Sequence, residues 1–410
     1  MSALQPALVL GDINLIRPLG MVGVPVTLAT PDPETSGARS RYCRRVLPFP
    51  NPEDLDGTVE ALMAVPWPEG AQPALFYQRD HGLRVLSRSR EILGQRYRFL
   101  LPPVELVEDL LDKARFLTLA LRLGLPIPRT EIVAPNAGAE RLVAEWDIFP
   151  CVIKPAVHSE RWMSIPLPGS AMWAQKAIRV ERREDLLRLW PVLKGHGSEL
   201  IFQECIDGGE DRIVSFHAYV RPGGECVAWF TGRKIRTFPR SMGTSTYVEV
   251  TADPRVRDAG FEIVERLNFH GVLKIDFKED PRDGRLHLLE INPRFNLWHY
   301  PAAAAGVNLP ALVYQDLYSL EWSLSTQVRP GMRWLWLDGD FRAFREARRA
   351  GEISVGAWLR SLCARSVYEP FAWNDPMPLA AALWKRVRPK IPRWARPSQS
   401  APTRGGSAPN

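Results

Sequence analysis

The stretch Glu290-Ile291-Asn292-Pro293-Arg294 places three polar side chains at alternate positions where an apolar run ends. Side chains at i, i+2 and i+4 of a strand project to one face of the sheet. Glu290, Asn292 and Arg294 are therefore expected to project together, and Ile291 to enter the core. The same spacing also fits an ion pair between Glu290 and Arg294 on an exposed face, although Pro293 disfavours an ordinary central strand because it has no backbone donor.

Asp276 interrupts a second apolar run, LKIDF at residues 273–277. A polar turn at Asp280–Gly284 separates this run from the one that ends at Glu290, so the two are predicted to form a hairpin. The hairpin would bring Asp276 beside Glu290. Two carboxylates and the amide oxygen of Asn292 form the hard oxygen site that Mg2+ or Mn2+ prefers, and a cation would relieve their mutual repulsion.

Two lysines are candidates for phosphate binding. Lys154 lies within the apolar strand VIKP, where a lysine is costly unless it meets an anion. Lys113 lies in the motif LLDKARFL, within one amphipathic helix predicted over Glu105–Leu123. Both suit phosphate as flexible point charges. Each also fits a lysine that lays its stem on apolar surface and keeps its ammonium in water.

A candidate nucleotide-binding segment precedes the hairpin. Gln203, Glu204, Cys205 and Ile206 end a strand that is followed by a glycine pair and then by Glu210. The strand end can present backbone groups to an adenine edge, and Glu210 can bind ribose hydroxyls. A plain strand followed by a glycine turn is the alternative.

The stretch GRKIR at residues 232–236 is a candidate substrate-binding strand. Strand alternation predicts Lys234 and Arg236 on one face, where two cations suit a phosphate or a substrate carboxylate in a cleft. Lys234, Arg236 and Arg294 are therefore the candidate catalytic residues. A solvated basic face is the alternative for the first two.

The fold class is predicted to change along the chain. Ala7–Leu10, the helical stretch Asn14–Gly23 and Val24–Thr30 form a βαβ unit, which requires a parallel sheet. Further along, mostly antiparallel strands with flanking helices indicate α+β organisation. The prediction is thus α/β followed by α+β.

Taken in their order along the chain, the motifs resemble those of the ATP-grasp superfamily. The resemblance is to its carboxylate–amine ligases in particular, such as the D-aspartate ligase and carbamoyl-phosphate-synthase-like groups. The stretch SRYCRR at Ser40–Arg45 also resembles one in these relatives. The resemblance covers roughly residues 1–320 and implies a parallel-sheet pre-ATP-grasp domain over residues 1–104 and a two-lobed ATP-grasp domain over residues 105–320. It rests on the order and spacing of Lys113, Lys154, QECI at residues 203–206, Glu210, Asp276, Glu290, Asn292 and Arg294.

The resemblance implies that ATP lies between the two lobes. Lys113 and Lys154 would contact its phosphates, the segment Gln203–Ile206 would hold adenine largely through its backbone, and Glu210 would hold the ribose. The resemblance implies three metal ligands, Asp276, Glu290 and Asn292. It also implies that Arg294 stabilises the charge on the transferred phosphoryl group.

The segment after Lys154 departs from the family pattern. Relatives often carry a glycine-rich loop over the phosphates, whereas Pro155–Gln175 contains only Gly169. We expect the phosphates to be covered instead by His158, Arg161 and Lys176.

Composition limits the class of protein. With 45% hydrophobic and 24% charged residues, the 410-residue chain is typical of globular proteins. Five scattered cysteines argue against a zinc site or a disulfide framework. The N-terminus does not resemble a signal peptide and no apolar window is long enough to span a membrane, so a cytoplasmic location is expected.

The net charge of +7 comes entirely from the seven basic residues after Trp384, so a nucleic-acid partner is not expected. Residues 321–384 are predicted to be a helical, tryptophan-rich segment, and residues 385–410 a disordered basic tail. The composition of Pro378–Trp394 also fits peripheral contact with the anionic inner face of a membrane. A packed helix with a solvated tail is the alternative.

The resemblance implies an ATP-dependent ligase that activates a carboxylate as an acyl phosphate and joins it to an amine. Small-molecule substrates are expected, and relatives indicate a homodimer. Another acceptor, such as a thiol or bicarbonate, stays open. A nucleotide-binding scaffold without turnover is a second alternative, against which the intact set of four residues argues: Asp276, Glu290, Asn292 and Arg294.

Overall fold

The computed structural model describes residues 4–50, 54–133, 137–156, 162, 177–195, 199–240 and 243–387. Within these ranges the strands form three sheets that follow one another along the chain. None of the helices in the described part of the chain is long and apolar enough to cross a bilayer.

The N-terminal sheet is parallel, as predicted. Its strands are β1 (Ala7–Leu10), β2 (Val26–Thr30), β3 (Cys43–Pro48) and β4 (Ala74–Tyr77), and its helices are α1 (Ile13–Met21), α2 (Leu55–Ala64), α3 (Asp80–Arg88) and α4 (Arg90–Gly94). In the strand order β3-β2-β1-β4, β2 lies on one side of β1 and β4 lies on the other, so the direction of the connections reverses at β1. The carboxyl ends of β1 and β4 therefore form a topological switch point, where open α/β sheets bind ligands.

The segment Glu105–Leu123 forms two helices, so the prediction of a single helix was wrong. They are α5 (Val104–Leu111) and α6 (Lys113–Arg122). Asp112 between them is extended, and its carboxylate accepts hydrogen bonds from two N–H groups of α6, each at 2.9 Å. Aspartate is favoured at such a helix start because its side chain satisfies donors that have no intrahelical partner. Lys113 consequently stands in the first turn of α6.

A small antiparallel sheet follows, with strand order β5-β8-β6-β7. The strands and helices of this lobe are β5 (Thr130–Val133), α7 (Ala137–Glu145), β6 (Cys151–Pro155), β7 (Ile178–Val180), α8 (Arg183–Lys194) and β8 (Leu200–Glu204). Its own apolar core includes Trp146, Trp162 and Phe202. This lobe carries the candidate nucleotide-binding residues Lys154 and Gln203.

The third sheet has seven strands in the order β13-β12-β9-β10-β11-β14-β15. They are β9 (Ile213–Val220), β10 (Cys226–Phe238), β11 (Thr244–Thr251), β12 (Gly271–Glu279), β13 (Leu286–Asn292), β14 (Arg333–Trp336) and β15 (Ser366–Glu369). The helices of this part are α9 (Pro254–Arg266), α10 (His299–Ala304), α11 (Leu309–Leu317), α12 (Leu337–Arg349), α13 (Val355–Leu362) and α14 (Met377–Val387). One face of the sheet packs with the N-terminal sheet in a common core, and the other packs with α5, α6 and α9.

The segment over residues 321–384 contains strands as well as the expected helices. β14 pairs antiparallel with β11, and β15 pairs parallel with β14, so the segment extends the large sheet. The helix α14 continues to Val387, beyond Lys385 where the tail was predicted to begin. The domain boundaries themselves stay predictions.

A buried ion pair fastens the C-terminal segment to the N-terminal domain. Arg17 and Asp375 are both 1% exposed, with Nε and Oδ2 3.1 Å apart. The same carboxylate accepts hydrogen bonds from Ser40 Oγ at 2.7 Å and from the Arg41 N–H at 2.8 Å. Every oxygen of this buried charge is therefore satisfied, as a buried carboxylate requires.

We expect Asp375→Ala to lower the free energy of unfolding by about 3–5 kcal/mol, because it leaves the Arg17 guanidinium buried without its partner. Denaturant unfolding monitored by circular dichroism measures the change. Asp338→Ala is the matched control, since its ion pairs with Arg342 and Arg386 are exposed and worth about 0–1 kcal/mol. Equal losses in the two variants would contradict the importance of the buried pair.

Candidate active site

The predicted hairpin is present and places the two candidate metal-binding carboxylates opposite each other. β12 and β13 are antiparallel, with Asp276 in register with Glu290 and Lys274 in register with Asn292. The four side chains alternate with buried apolar neighbours such as Ile275. One face of the hairpin therefore carries two carboxylates, an amide and an ammonium.

Asp276 is the buried member of the carboxylate pair, only 2% exposed. Its Oδ2 accepts a hydrogen bond from Lys274 Nζ, whereas its Oδ1 is buried and has no hydrogen-bond partner among the described residues. Burial raises the pKa of Asp276, and Lys274 and Lys234 oppose that rise. A buried carboxylate oxygen without a partner is costly and calls for a further cation or donor.

Glu290 is the solvent-accessible member of the pair. Desolvation by the surrounding protein raises its pKa, but Lys274 and Lys234 outweigh this effect and lower it to about 2. Asn292 Nδ2 donates to Glu290 Oε1 at 3.0 Å and contributes in the same direction. Glu290 is thus ionised throughout the physiological pH range.

These residues fit a divalent cation of the magnesium type. The partnerless Oδ1 of Asp276, the ionised Glu290 and the amide oxygen of Asn292 are hard oxygen ligands, and Mg2+ typically takes one or two carboxylates and completes its shell with phosphate oxygens and water. The described part of the chain has no group of three or more His, Cys, Asp and Glu side chains placed to hold a metal ion, so the candidate site rests on two carboxylates and one amide. The site therefore offers two carboxylates and leaves positions for other ligands.

The two predicted phosphate-binding lysines lie close together at the edge of the small lobe. Lys154 Nζ donates to Gln203 Oε1 at 3.1 Å, and Lys113 Nζ donates to the carbonyl oxygen of Pro155 at 3.5 Å. Desolvation and then Lys113 lower the pKa of Lys154 to about 8, while Glu290 raises it. Lys154, Lys113 and Glu290 thus belong to one electrostatic site that spans both lobes.

Arg294 connects this site to the N-terminal sheet. Its Nη2 donates to Asn292 Oδ1 at 3.2 Å and its Nη1 to the backbone oxygen of Gln78 at 3.1 Å. Its Nε forms an ion pair with Asp80 at the start of α3. The partner of Arg294 is therefore Asp80, and the alternative of an ion pair with Glu290 is excluded.

The contact of Arg294 falls at the switch point of the N-terminal sheet. Gln78 directly follows β4, and its Oε1 accepts the N–H of Asp12, which follows β1, at 2.8 Å. Ligands of parallel sheets bind outside such carboxyl ends. The guanidinium of Arg294 thus bridges the candidate metal site and the switch point of the N-terminal sheet.

The structure separates Lys234 from Arg236. Lys234 acts electrostatically on both Asp276 and Glu290, whereas Arg236 forms a largely buried, two-point ion pair with Asp340 of α12 at 2.7 and 2.9 Å. The pairing of β10 with β11 is irregular between the two residues, which interrupts strand alternation. The structure does not bring Arg236 to the carboxylates, and its catalytic role stays a prediction.

The candidate adenine-binding segment lies at the end of β8. The N–H groups of Glu204 and Cys205 already donate to the carbonyls of Arg129 and Pro150, at 2.8 and 3.0 Å. These two donors are therefore already used within the lobe. Glu210 follows in a half-buried 3-10 turn.

The side chain of Gln203 contacts one of the predicted phosphate-binding lysines: its Oε1 accepts a hydrogen bond from Lys154. Its Nε2 donates to Thr130 Oγ1 at 2.9 Å. The residues expected to cover the phosphates lie outside the described residues: His158, Arg161 and Lys176.

Sequence reasoning missed Lys274, Gln78 and Asp80. Lys274 precedes Asp276 by two positions on a strand, so the period of two that linked Glu290 to Asn292 would have found it. Gln78 and Asp80 are separated from Arg294 by more than 200 residues, 216 and 214 respectively. No local pattern indicates a contact over such a distance.

The architecture defines the class of protein. The chain has the ATP-grasp fold: it superposes on the L-amino acid ligase from Bacillus licheniformis with a TM-score of 0.56 and 16% identity, covering 81% of this chain and 78% of that one. It superposes on a biotin carboxylase–ATP complex from Campylobacter jejuni with a TM-score of 0.60 and 13% identity, covering 81% and 74%. Residues 225–339 match the family described as "ATP-grasp in the biosynthetic pathway with Ter operon".

Among curated proteins, the chain is similar to the D-aspartate ligase of Enterococcus faecium (strain Aus0004), with 28% identity over 247 residues. The match covers 58% of this chain and 56% of the relative, so it spans little more than half of that protein. These findings confirm the resemblance to the ATP-grasp superfamily and to its carboxylate–amine ligases.

We expect the affinity for ATP to fall as the pH rises through about 8, because Lys154 loses its charge there. The pKa of Lys154 is lowered from the ordinary lysine value, so the charged form is complete only below pH 8. Isothermal titration calorimetry of ATP across this pH range measures the effect. Lys154→Met should bind ATP about 10–100-fold more weakly and lose this pH dependence; an unchanged profile in the variant would exclude Lys154 as its source.

Proposed function

We propose that the protein is an ATP- and magnesium-dependent ligase that joins a carboxylate to an amine. The observation that carries the proposal is the pairing of Asp276 with Glu290 across two strands, within electrostatic reach of Lys154 on the other lobe. A chain without turnover has little use for a costly pair of carboxylates held against lysines. The D-aspartate ligase and L-amino acid ligase likenesses support the reaction class.

In the first step, a carboxylate oxygen of the substrate attacks the γ-phosphorus of ATP. The new O–P bond forms as the bond to the β–γ bridging oxygen breaks, and ADP leaves with that electron pair. The product is an acyl phosphate. This activation is needed because a free carboxylate has no leaving group, whereas the acyl phosphate can release phosphate.

In the second step, the amine nitrogen attacks the acyl carbon. The C–N bond forms, the C–O bond breaks with departure of inorganic phosphate, and the amine proton passes to solvent or to phosphate. Acceptors with a thiol or bicarbonate would follow the same electron flow. The amine is proposed because the chain is similar to two ligases named for amino acids, compounds that carry both a carboxylate and an amine.

The positive side chains of the site provide the electrostatic stabilisation. Lys113 and Lys154 would hold the phosphates of ATP, and Arg294, Lys274 and Lys234 would face the charge that develops on the transferred phosphoryl group. Fixed cations of this kind need no reorganisation during the step. A magnesium ion held by Asp276, Glu290 and Asn292 would neutralise phosphate oxygens and orient them for in-line transfer.

The similarity to D-aspartate ligase makes D-aspartate the first carboxylate to test. Adenine would lie against residues 203–206 with Glu210 at the ribose, and the acceptor amine would approach from the switch point beside Gln78 and Asp80. A homodimer is part of the proposal, and size-exclusion chromatography with light scattering measures it. A cytoplasmic location is proposed for the enzyme.

The first experiment identifies the carboxylate that the enzyme activates, and it does not require the natural amine acceptor to be known. Purified protein, ATP and MgCl2 are incubated with D-aspartate or pooled amino acids, with hydroxylamine as the amine. We expect ADP to form only with the correct carboxylate, together with the hydroxamate that results when hydroxylamine traps the acyl phosphate. ADP without hydroxamate would indicate simple phosphorylation or hydrolysis. Tight ATP binding with no ADP from any donor would favour the scaffold alternative.

Glu290→Gln and Asp276→Asn should each lower kcat about 10²–10³-fold, because each removes one anionic ligand of the proposed metal site while keeping side-chain size. The measurement is ADP formation as a function of MgCl2 concentration. We expect high Mg2+ to restore part of the activity of the Glu290 variant. Asp338→Asn, remote on α12, is the control and should leave the activity unchanged; equal loss in the control would point to misfolding.

A further inference from the structure

An exposed apolar surface remains on the C-terminal helix after the proposed ligase site is assigned. Met377, Ala380 and Trp384 stand at i, i+3 and i+7 of α14, all exposed, and Leu383 lies beside them. Trp384 is 69% exposed and Met377 58%. A helix that packs on a globular body normally turns such a stripe inward.

Trp373, which precedes α14, extends this surface, here called the tryptophan surface and defined as Trp373, Met377, Ala380, Leu383 and Trp384. Trp373 is 90% exposed and meets the Phe371 ring in a T-shaped contact, with the ring centroids 4.9 Å apart. Tryptophans in folded proteins are usually largely buried. Large apolar side chains that stay exposed close together in the sequence indicate an interaction site.

The tryptophan surface is fixed on the protein body. α14 packs on the N-terminal domain at the short 3-10 helix Ser36–Arg39, and Lys385 is paired with Asp32 at 2.8 Å. Next to Trp373, Arg41 Nη1 donates to the carbonyl oxygen of Asn374 at 3.1 Å, and Asn374 donates to the hydroxyl of Tyr42 at 2.9 Å. The exposed rings are therefore held by folded structure on both sides.

Positive charge follows the tryptophan surface in the sequence. Lys385 and Arg386 stand on α14 and are partly neutralised by Asp32 and Asp338. Beyond them come five more basic residues and no acidic residue: Arg388, Lys390, Arg393, Arg396 and Arg404. The surplus positive charge therefore lies directly after the exposed tryptophans.

We propose that the tryptophan surface docks on a membrane that contains anionic phospholipid. Tryptophan favours the boundary between headgroups and acyl chains, and basic residues near an anionic bilayer contribute about fivefold in affinity each. Both requirements are met within Trp373–Arg404. The docking stands on observations independent of the proposed ligase site, and it would present that site to substrates at the membrane surface.

Two other occupants fit the charges less well. A second copy docking through the same face would bring two surplus-positive segments together, which is repulsive. A nucleic acid offers phosphates for the basic residues but no apolar surface for Met377, Ala380 and Leu383. The bilayer alone satisfies both the stripe and the charge.

The test is co-sedimentation of the full-length protein with vesicles of phosphatidylcholine alone and of phosphatidylcholine with an equal amount of phosphatidylglycerol. We expect binding only to the second kind, weakened by added salt. The double variant Trp373→Ser/Trp384→Ser should bind about tenfold more weakly or worse, because the rings can no longer enter the interface. Leu187→Ser, at an exposed leucine of α8, is the matched control and should bind like the original chain.

A chain that ends after Val387 lacks five of the basic residues and should lose its preference for phosphatidylglycerol. Thermal melting must show that all variants are folded as the original chain is. Absence of binding to phosphatidylglycerol vesicles, or equal binding by the double tryptophan variant, would overturn the proposal. Dimerisation that the double variant abolishes, without vesicle binding, would assign the surface to a second copy instead.

Discussion

Asp276 and Glu290 repel each other, and the structure of the site is organised around that repulsion. The hairpin register sets the two carboxylates opposite each other, with one oxygen of Asp276 buried and without a partner in the described ranges. Lys274 and Lys234 outweigh the desolvation of Glu290 and lower its pKa to about 2. An arrangement of this kind is unfavourable for stability alone and suits a site that a divalent cation and phosphates complete.

The three sheets converge on this pair. The small lobe contributes Lys154, whose pKa responds to Glu290, and helix α3 of the N-terminal domain contributes Asp80, which pairs with Arg294. The buried pair of Arg17 and Asp375 fastens the C-terminal segment onto the same N-terminal domain. A change in the placement of the N-terminal domain would therefore reach the polar face of the hairpin through Arg294 and the C-terminal segment through Arg17.

Agreement between prediction and structure follows the range of the interactions. Strand alternation correctly paired Asp276 with Glu290, because the period of two and the polar turn are both local. It placed Lys234 and Arg236 on one face, which was wrong, because the strand pairing is irregular there and Asp340, from a distant helix, pairs with the Arg236 guanidinium. Asp112 is a local signal for the helix break, since aspartate caps helix starts, but the apolar pattern that runs across it predicts one continuous helix.

The sequence by itself determined the parallel N-terminal sheet, the hairpin and the chemistry of its polar face, since each depends on residues within a few positions or on a short turn. The tertiary structure decided the partner of Arg294, the role of Gln78 at the switch point and the addition of β14 and β15 to the large sheet. These features join residues far apart in the chain. Their energies come from packing and from buried charges whose partners no local pattern specifies.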